Sequence, residues 1–119
     1  MPYSSQDLHK KLLGKRGEKR VESYLKKRGF KILARNYTTP FGEADLIAQD
    51  GDETVCIEVK TRTTDSYGAP REAVDQHKRE RYRRIAVFYG LRTGAEPNAR
   101  FDVAEVYATG EIEYYENAF

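Results

Sequence analysis

Four residues in the middle of the chain, Glu43, Asp45, Glu58 and Lys60, have the types and the spacing to do chemistry together. They lie in two segments of alternating polar and apolar residues, which are separated by Asp-Gly-Asp-Glu at 50–53, a strong hairpin signal. Side chains two residues apart on a strand share a face, so each segment carries two of the four on one side. The pattern therefore predicts a cluster of carboxylates with a lysine on one face of a β-hairpin.

The register of this hairpin decides which acid lies opposite Glu58. A loop at 51–52 places Asp45 directly opposite Glu58, whereas a loop at 50–51 places Glu43 there. Either register sets two like charges against each other, with Cβ atoms about 4.5–5.5 Å apart, which destabilises a sheet. A further partner is therefore expected to relieve the repulsion between the two carboxylates.

A divalent cation would provide that relief, and ligands that are all oxygen favour Mg²⁺ or Mn²⁺ over zinc. The alternative is that the acids lie on a solvated face and bind nothing. Against it, Ile47 and Cys56 flank the acids on the same face and are apolar, which indicates a partly covered surface.

Glu18 is a further candidate acid, because it lies in a segment with helical periodicity. It precedes Val21 by three residues and Leu25 by seven, which places it on the apolar stripe that faces the core. Such a carboxylate is either exposed at the edge of the stripe or directed at the acidic strands, and the spacing leaves both open.

The elements that must position these residues follow from hydrophobic periodicity and from glycine and proline punctuation. The predicted order is α-β-β-β-α-β-β: a helix over 4–28, strands over 30–37, 43–49 and 54–61, a helix from Asp75 to about Leu91, and strands over 100–107 and 111–115. Gly29, directly after three basic residues, is expected to end the first helix. We therefore predict one α/β domain over 1–119, with a mixed sheet and flanking helices.

The charges are segregated along the chain, although the net charge is only +2. The local charge is +8 over 1–35, −6 over 36–59, +4 over 60–84 and −4 over 85–119. An acidic cluster between basic segments suits metal-dependent chemistry on a phosphodiester, the alternative being solvated faces of unrelated sign. The candidate contacts to nucleic-acid phosphates are Lys15, Arg16, Lys19, Arg62, Lys78 and Arg81. Tyr37, Tyr67 and Tyr82 could stack on bases, although tyrosines are more often core or rim residues.

Composition excludes several other classes of protein. A mean hydropathy of −0.81 and the lack of a long apolar run speak against a membrane span, and no secretory signal is recognisable. The single cysteine, Cys56, excludes an intramolecular disulfide and a cysteine-rich zinc site. Neither of the two histidines stands near Cys56 in a pattern typical of nucleophilic catalysis. A cytoplasmic location is expected.

The central motif resembles the PD-(D/E)xK nuclease signature, with Asp45 as the first acid and Glu58-x-Lys60 as the second half. The wider pattern is similar to the YraN-like family of small bacterial proteins, predicted endonucleases related to archaeal Holliday junction resolvases. The matching pieces are Gly14-Lys-Arg-Gly17-Glu18, Ala34-Arg-Asn36-Tyr37, Gly42-Glu-Ala-Asp-Leu-Ile47, Glu58-Val-Lys-Thr-Arg62, Val74-Asp75 with Lys78, Arg100-Phe-Asp-Val103 and Asn117-Ala-Phe119.

This resemblance implies a restriction-endonuclease-like core in which Glu18, Asp45 and Glu58 hold the metal and Lys60 assists. Glu43 is expected to support the metal ligands or to pair with Lys60. The implied activity is Mg²⁺-dependent hydrolysis of phosphodiester bonds in nucleic acid, expected to be DNA, with branched or junction DNA as a candidate substrate. Resolvase relatives also suggest a homodimer. One departure is that Ala44 stands where the nuclease signature has proline, on the side of the strand away from the acids.

Three other interpretations use the same residues differently. A non-catalytic module that binds nucleic acid on the same fold would keep the basic residues but not need Lys60 beside the acids. A protein-interaction domain with an acidic face would not need Lys60 beside the carboxylates either. The sequence Gly-Lys-Arg-Gly at 14–17 resembles the GxxG loop of KH domains, but too few residues precede it for the strand and helix that such a domain requires.

Overall fold

The computed structural model describes residues 5–62, 76–94 and 99–118, and the side chains from residue 14 onward. The elements in chain order are α1 (Ser5–Lys27), β1 (Lys31–Thr39), β2 (Gly42–Asp50), β3 (Glu53–Arg62), α2 (Gln76–Thr93), β4 (Ala99–Tyr107) and β5 (Ile112–Tyr115). The predicted order of helices and strands is therefore confirmed. The expected N-cap Asp75 and the expected start of the first helix at residue 4 lie outside the described residues.

The five strands form one mixed sheet in the order β1-β2-β3-β4-β5. The pairs β1–β2, β2–β3 and β4–β5 are antiparallel, whereas β3 and β4 run parallel. Parallel neighbours require a long crossover connection, and α2 lies in the connection between these two strands. The sheet is thus mixed as predicted, and its one parallel pair lies next to the hairpin that carries the acids.

The two helices cover opposite faces of the sheet. Val55 and Ile57 of β3 pack in one core cluster with Val21 and Leu25 of α1. Cys56, which lies between them on the strand, packs in the other cluster with residues of α2. Because neighbouring residues on a strand point to opposite faces, β3 is covered on both sides. The apolar cover predicted beside the acids is therefore present, and it comes from α2.

Helix α1 ends as its sequence predicts. Gly29 has a φ of 91°, in the left-handed region, and the Phe30 amide donates to the Leu25 carbonyl at 3.0 Å. Glycine adopts this conformation without a Cβ penalty, so the chain turns sharply into β1. The helix also continues through Gly14 without interruption.

A buried ion network fastens the end of the sheet that holds the β2–β3 turn. Asp102 of β4 is fully buried and receives hydrogen bonds from Arg100 at 2.9 Å, the Tyr114 hydroxyl at 2.6 Å and the Asn117 amide at 2.8 Å. Arg100 also reaches Asp50 at 2.9 Å, so the network links β4 and β5 with the β2–β3 turn. A buried charge of this kind is tolerated because every partner is in place.

Replacing Arg100 by methionine should therefore destabilise the protein strongly, because the Asp102 carboxylate would stay buried without its counter-ion. Removal of one partner from a buried pair costs about 3–5 kcal/mol. The free energy of unfolding in urea measures this loss. Arg83→Met, at an exposed position with one long surface contact to Glu80, is the matched control and should lie within about 0.5 kcal/mol of wild type. A similar small effect for Arg100→Met would contradict the structural role of the network.

Candidate active site

The β2–β3 hairpin takes the register that brings Asp45 towards Glu58. Its ladder runs from the pair Asp50–Glu53 to the pair Leu46–Ile57, with the loop at 51–52. Of the two registers that the sequence allows, this is the one that continues to Asp45 opposite Glu58. The acids thus follow directly after the last paired residues of the two strands.

Beyond this pair, an oxygen of the Asp45 side chain takes the place of a backbone carbonyl as hydrogen-bond acceptor. Its Oδ2 atom accepts a hydrogen bond from the Val59 amide at 2.8 Å. The alternation of β2 is interrupted here as well, because Ala44 and Ile47, three residues apart, lie in the same core cluster. The two strands therefore separate around a half-buried carboxylate, which remains open to one side.

Asn36 of β1 lies opposite Asp45, between the pairs Arg35–Leu46 and Tyr37–Ala44. Its φ of 49° is in the left-handed region, and its side-chain amide is near enough to the Glu18 carboxylate to oppose the rise in the pKa of that acid. Asparagine is rare in β-strands and tolerates a left-handed backbone conformation. An asparagine within a strand pattern is therefore a sequence signal that could have identified this position. Asn36 thus connects the helical acid Glu18 with the strand acid Asp45.

Glu18 reaches the site because α1 approaches the sheet closely at the preceding residue. A Cβ atom on Gly17 would lie 3.0 Å from the Thr61 hydroxyl of β3 and 3.8 Å from Val106 of β4. Glycine at this position allows the helix to pack at this distance. Of the two orientations left open for Glu18, the structure has the one directed at the acidic strands, where Asp45 and Glu43 repel it.

Glu58 is held by three side chains. Lys78 of α2 donates to its Oε1 atom at 2.7 Å, and the Tyr82 hydroxyl donates to Oε2 at 3.2 Å. Lys60 lies 3.8 Å from the same Oε1 atom. Lys78, expected from the sequence to contact phosphate, therefore binds an acid of the site, and Tyr82 is buried in the core with its hydroxyl turned to Glu58. Sequence periodicity gave no signal for these pairings, because they join a helix to a strand distant in the chain.

Glu43 lies at the exposed margin of this group, where the Thr38 hydroxyl donates to its Oε2 atom at 3.2 Å. The sequence allowed a position opposite Lys60, but the β2–β3 ladder ends before these residues, and Glu43 is held by its neighbour on β1. Its charge still acts on the other acids, since it contributes to the raised pKa of both Glu18 and Asp45.

The electrostatics of the acids favour an added positive charge. Burial raises the pKa of Asp45, and the charges of Glu58 and Glu43 raise it further, while the Val59 amide and Lys78 oppose the shift. Burial also raises the pKa of Glu18, together with repulsion by Asp45 and Glu43. Asp45 and Glu18 are therefore harder to ionise than the same side chains in water. Raised pKa values of this kind are typical of carboxylates that bind a cation or hold a proton.

The donor set fits a hard divalent cation by its chemistry. Glu18, Asp45 and Glu58 offer only oxygen ligands, and the repulsion among them is what a cation would relieve. Within residues 14–62, 76–94 and 99–118, no three acidic, histidine or cysteine side chains are grouped around one point as they stand. Lys78 instead provides the positive charge beside Glu58.

The predicted phosphate contacts fall into separate groups. Lys15 and Lys19 of α1 line an open cleft of about 500 Å³, together with Glu18 and Asn36, and Arg16 is exposed on the same helix. Arg81 of α2 is exposed as well. The remaining one, Arg62, donates to the buried Glu105 of β4 at 3.1 Å. Basic side chains on both helices therefore flank the acids, while Arg62 has a structural partner.

In the part of the chain that the structure describes, this is a mixed α/β protein of two helices and five strands, with acidic residues where β2 and β3 separate. The model of the uncharacterised protein family UPF0102 matches residues 17–106 of the chain. The protein therefore belongs to this family, as its motifs predicted. The matched range contains every element from Gly17 through most of β4, and so includes all the acids of the site.

Relatives that carry the same family name cover nearly the whole chain. The UPF0102 protein of Thermodesulfovibrio yellowstonii is 44% identical over 107 residues, which are 90% of this chain and 95% of the relative. The UPF0102 protein of Alkaliphilus metalliredigens is 45% identical over 112 residues, 92% and 98% of the two chains. In the part of the chain that the structure describes, neither helix has the length and hydropathy needed to cross a bilayer.

The raised pKa of Asp45 predicts a stability penalty that the isosteric amide removes. Because the native state holds this proton more tightly than the unfolded chain, the free energy of unfolding falls as the pH rises from the unfolded pKa, about 3.9, through the native pKa. Asp45→Asn has no such loss and should be more stable than wild type at neutral pH in buffer with a chelator. The difference should shrink towards pH 4, as urea titrations at both pH values would show.

Asp52→Asn, the same substitution at an exposed position in the hairpin turn, controls for the change in net charge. If Asp45→Asn were less stable than wild type at neutral pH without metal, the Asp45 carboxylate would be a structural residue, and the electrostatic description of the site would be wrong.

Proposed function

We propose that this protein is a metal-dependent endonuclease, with a restriction-endonuclease-like core, that hydrolyses phosphodiester bonds in DNA. The observation that carries the proposal is the convergence of Asp45, Glu58 and Lys60 where β2 and β3 separate. Asp45 accepts a hydrogen bond from the Val59 amide at 2.8 Å, which joins the first acid of the motif to the strand that carries Glu58. On that strand, Lys60 lies 3.8 Å from Glu58. A strand face that is simply exposed to solvent does not explain a half-buried carboxylate that accepts a hydrogen bond in place of a backbone carbonyl.

Asp45, Glu58 and Glu18 are the residues that would hold Mg²⁺ or Mn²⁺, and Glu43 is the acid beside them. The bound ion would supply Lewis acidity towards a phosphate oxygen and an attacking water. The chain itself fixes Asp45 through the hydrogen bond from the Val59 amide, and the Asn36 amide lies beside Glu18. Ligands held in this way need little reorganisation when the ion and the substrate bind.

Two lysines adjoin the acids and have different roles in this proposal. Lys60 lies on the same strand face as Glu58, where its ammonium group can stabilise the charge that develops on the attacked phosphate. Lys78, at 2.7 Å from Glu58, neutralises and orients that acid while no metal is present. Tyr82 donates to the other oxygen of the same carboxylate and so restricts its orientation.

A nucleic-acid substrate suits the surroundings of the site. Lys15 and Lys19 line the cleft on one side of the acids, and the exposed cations of α2, including Arg81, lie on the other. Cations that neutralise phosphates supply most of the affinity for nucleic acids and guide the strand towards the acids. This arrangement supports DNA as the expected substrate class, with no base preference implied.

A second candidate function is a module that binds nucleic acid without cleaving it. The contact that favours it is the close Lys78–Glu58 ion pair, because an acid already neutralised by lysine needs no metal. In that case Asp45 and Glu58 serve to anchor α2 and β3, and the basic side chains alone provide function. Metal binding and cleavage therefore separate the two candidates.

The first prediction of the proposal is that wild-type protein binds Mn²⁺ and that Asp45→Asn weakens this binding by about tenfold or more, since the loss of even an indirect contact to a metal site has effects of this size. Isothermal titration calorimetry measures both affinities. Asp52→Asn is the matched control and should bind Mn²⁺ as wild type does. Equal Mn²⁺ affinities for wild type and Asp45→Asn would exclude Asp45 as a ligand.

The second prediction concerns Lys60→Met, which keeps the aliphatic stem and removes the charge. Its metal-dependent cleavage rate should fall by about 10²–10³-fold, because an interaction made mainly in the transition state is lost. Its affinity for DNA should stay within several-fold of wild type. Lys31→Met, the same change at an exposed position on β1, should cleave normally.

Cleavage is best measured on a panel of junction, flap, single-stranded and duplex DNAs with Mg²⁺ or Mn²⁺. Undiminished cleavage by Lys60→Met, together with a loss in Lys78→Met, would move the catalytic charge to Lys78. DNA binding by wild type without cleavage of any member of the panel would favour the non-catalytic module.

A further inference from the structure

A second groove, distinct from the cleft beside α1, lies at the start of α2 next to the turn between β1 and β2. It has a volume of about 300 Å³ and is lined by Phe41, His77, Glu80, Arg81 and Arg84. Four of these five side chains end in a flat group: a phenyl ring, an imidazole and two guanidinium groups. Flat aromatic and cationic groups together are typical of surfaces on which nucleobases stack.

Phe41 is presented to the groove by a turn of fixed shape. The Thr39 hydroxyl accepts from the Phe41 amide at 3.1 Å and donates to the Gly42 carbonyl at 2.8 Å. The ring meets Phe88 edge-on at 6.5 Å, yet 42% of Phe41 remains exposed. A large apolar ring held in position and left open to solvent suits a ligand that covers it.

The charges around the ring favour an anionic ligand. The Arg84 guanidinium carbon lies 5.7 Å from the centre of the Phe41 ring. The Arg81 side chain crosses the backbone of Gly42, where a Cβ atom would lie 2.9 Å from its Cδ atom. Glu80, the one acid of the lining, is paired with Arg84 at 3.3 Å. The described part of α2 up to this point carries five cations, Lys78, Arg79, Arg81, Arg83 and Arg84, against this one acid.

The groove adjoins the acids of the candidate active site. Phe41 precedes Glu43 by two residues on the chain, and Arg81 is the immediate neighbour of Tyr82, which contacts Glu58. Lys78, the other α2 contact of Glu58, lies three residues before Arg81, and side chains at this spacing on a helix have Cβ atoms about 5–6 Å apart. The contacts of Glu58 and the lining of the groove are therefore neighbours on the surface of α2.

We infer that this groove binds an unpaired nucleotide of single-stranded DNA, with the base stacked on Phe41 and the phosphates facing Arg81 and Arg84. The inference rests on the proposed function in that it names the part of the substrate next to the acids. A duplex keeps its bases stacked on one another and offers no free face to Phe41. An acidic peptide would satisfy the arginines but would make no use of the flat ring.

The chain contains no tryptophan, so Phe41→Trp introduces a single fluorophore into the groove. Titration of this variant with a short oligodeoxythymidylate, at low salt with a chelator, should quench the emission to saturation. Leu91→Trp is the matched control, because Leu91 lies on the same helix, outside the lining of the groove, and is 83% exposed. Its emission should change little in the same titration.

Affinity for the oligonucleotide is measured in parallel by fluorescence anisotropy of labelled DNA. Phe41→Ala should bind single-stranded DNA about 5- to 150-fold more weakly than wild type, as expected for the loss of one stacked base. Its affinity for duplex DNA should stay within about twofold, since duplex binding depends on phosphate contacts. Urea unfolding midpoints close to wild type for Phe41→Ala and Phe41→Trp show that the variants are folded.

The inference is overturned if the oligonucleotide binds without quenching the Phe41→Trp variant, or if it does not bind at all. It is also overturned if duplex DNA quenches the emission as strongly as single-stranded DNA. Equal quenching by polyglutamate would assign the groove to an acidic peptide, and a change of emission with protein concentration alone would assign it to a second copy of the chain. Quenching by single-stranded DNA with no cleavage by wild type would uphold the groove and refute the endonuclease. Cleavage by wild type with unaltered single-strand binding by Phe41→Ala would do the reverse.

Discussion

The hydrogen bond from the Val59 amide to Asp45 is the contact on which the geometry of the candidate site depends. A regular antiparallel ladder would give this amide a backbone partner and would bring β2 and β3 together along their whole length. With a side-chain oxygen as partner instead, the strands separate and an acid is held in the gap at 2.8 Å from the amide. The other contacts of the site lie on either side of this gap. Glu18 approaches it from α1, and Lys78 and Tyr82 of α2 contact Glu58.

Stability and charge are distributed unequally along the sheet. At the end that holds the β2–β3 turn, the buried Asp102 has an arginine, a tyrosine hydroxyl and a backbone amide as partners. At the other end, Asp45 and Glu18 repel each other and their pKa values are raised by burial. Repulsion of this kind is tolerated when another part of the fold supplies the stability, and functional sites are where proteins tend to accept it.

Much of this could be predicted from the sequence because the signals are local. Alternating residues defined the strands, the Asp-Gly turn allowed two hairpin registers, and Gly29 marked the end of α1. The contacts between helix side chains and the strands could not be predicted in the same way. The spacing of Glu18 fixed its stripe on the helix but not how far that stripe is rotated towards the strands, since the rotation depends on the packing at Gly17. Lys78 and Tyr82 join Glu58 from a helix distant in the chain, and no periodicity encodes such a contact.

The close packing at Gly17 means that the acidic cluster is assembled across two layers of the protein. Glu18 reaches the strand acids because α1 lies close to Thr61 of β3, so the position of this carboxylate depends on a helix–sheet contact as well as on its own side chain. A larger residue at this position would meet the Thr61 hydroxyl, so the helix or that side chain would have to shift while every acid of the motif remained in the sequence. The arrangement of the acids thus depends on an uncharged helical position that carries no chemistry of its own.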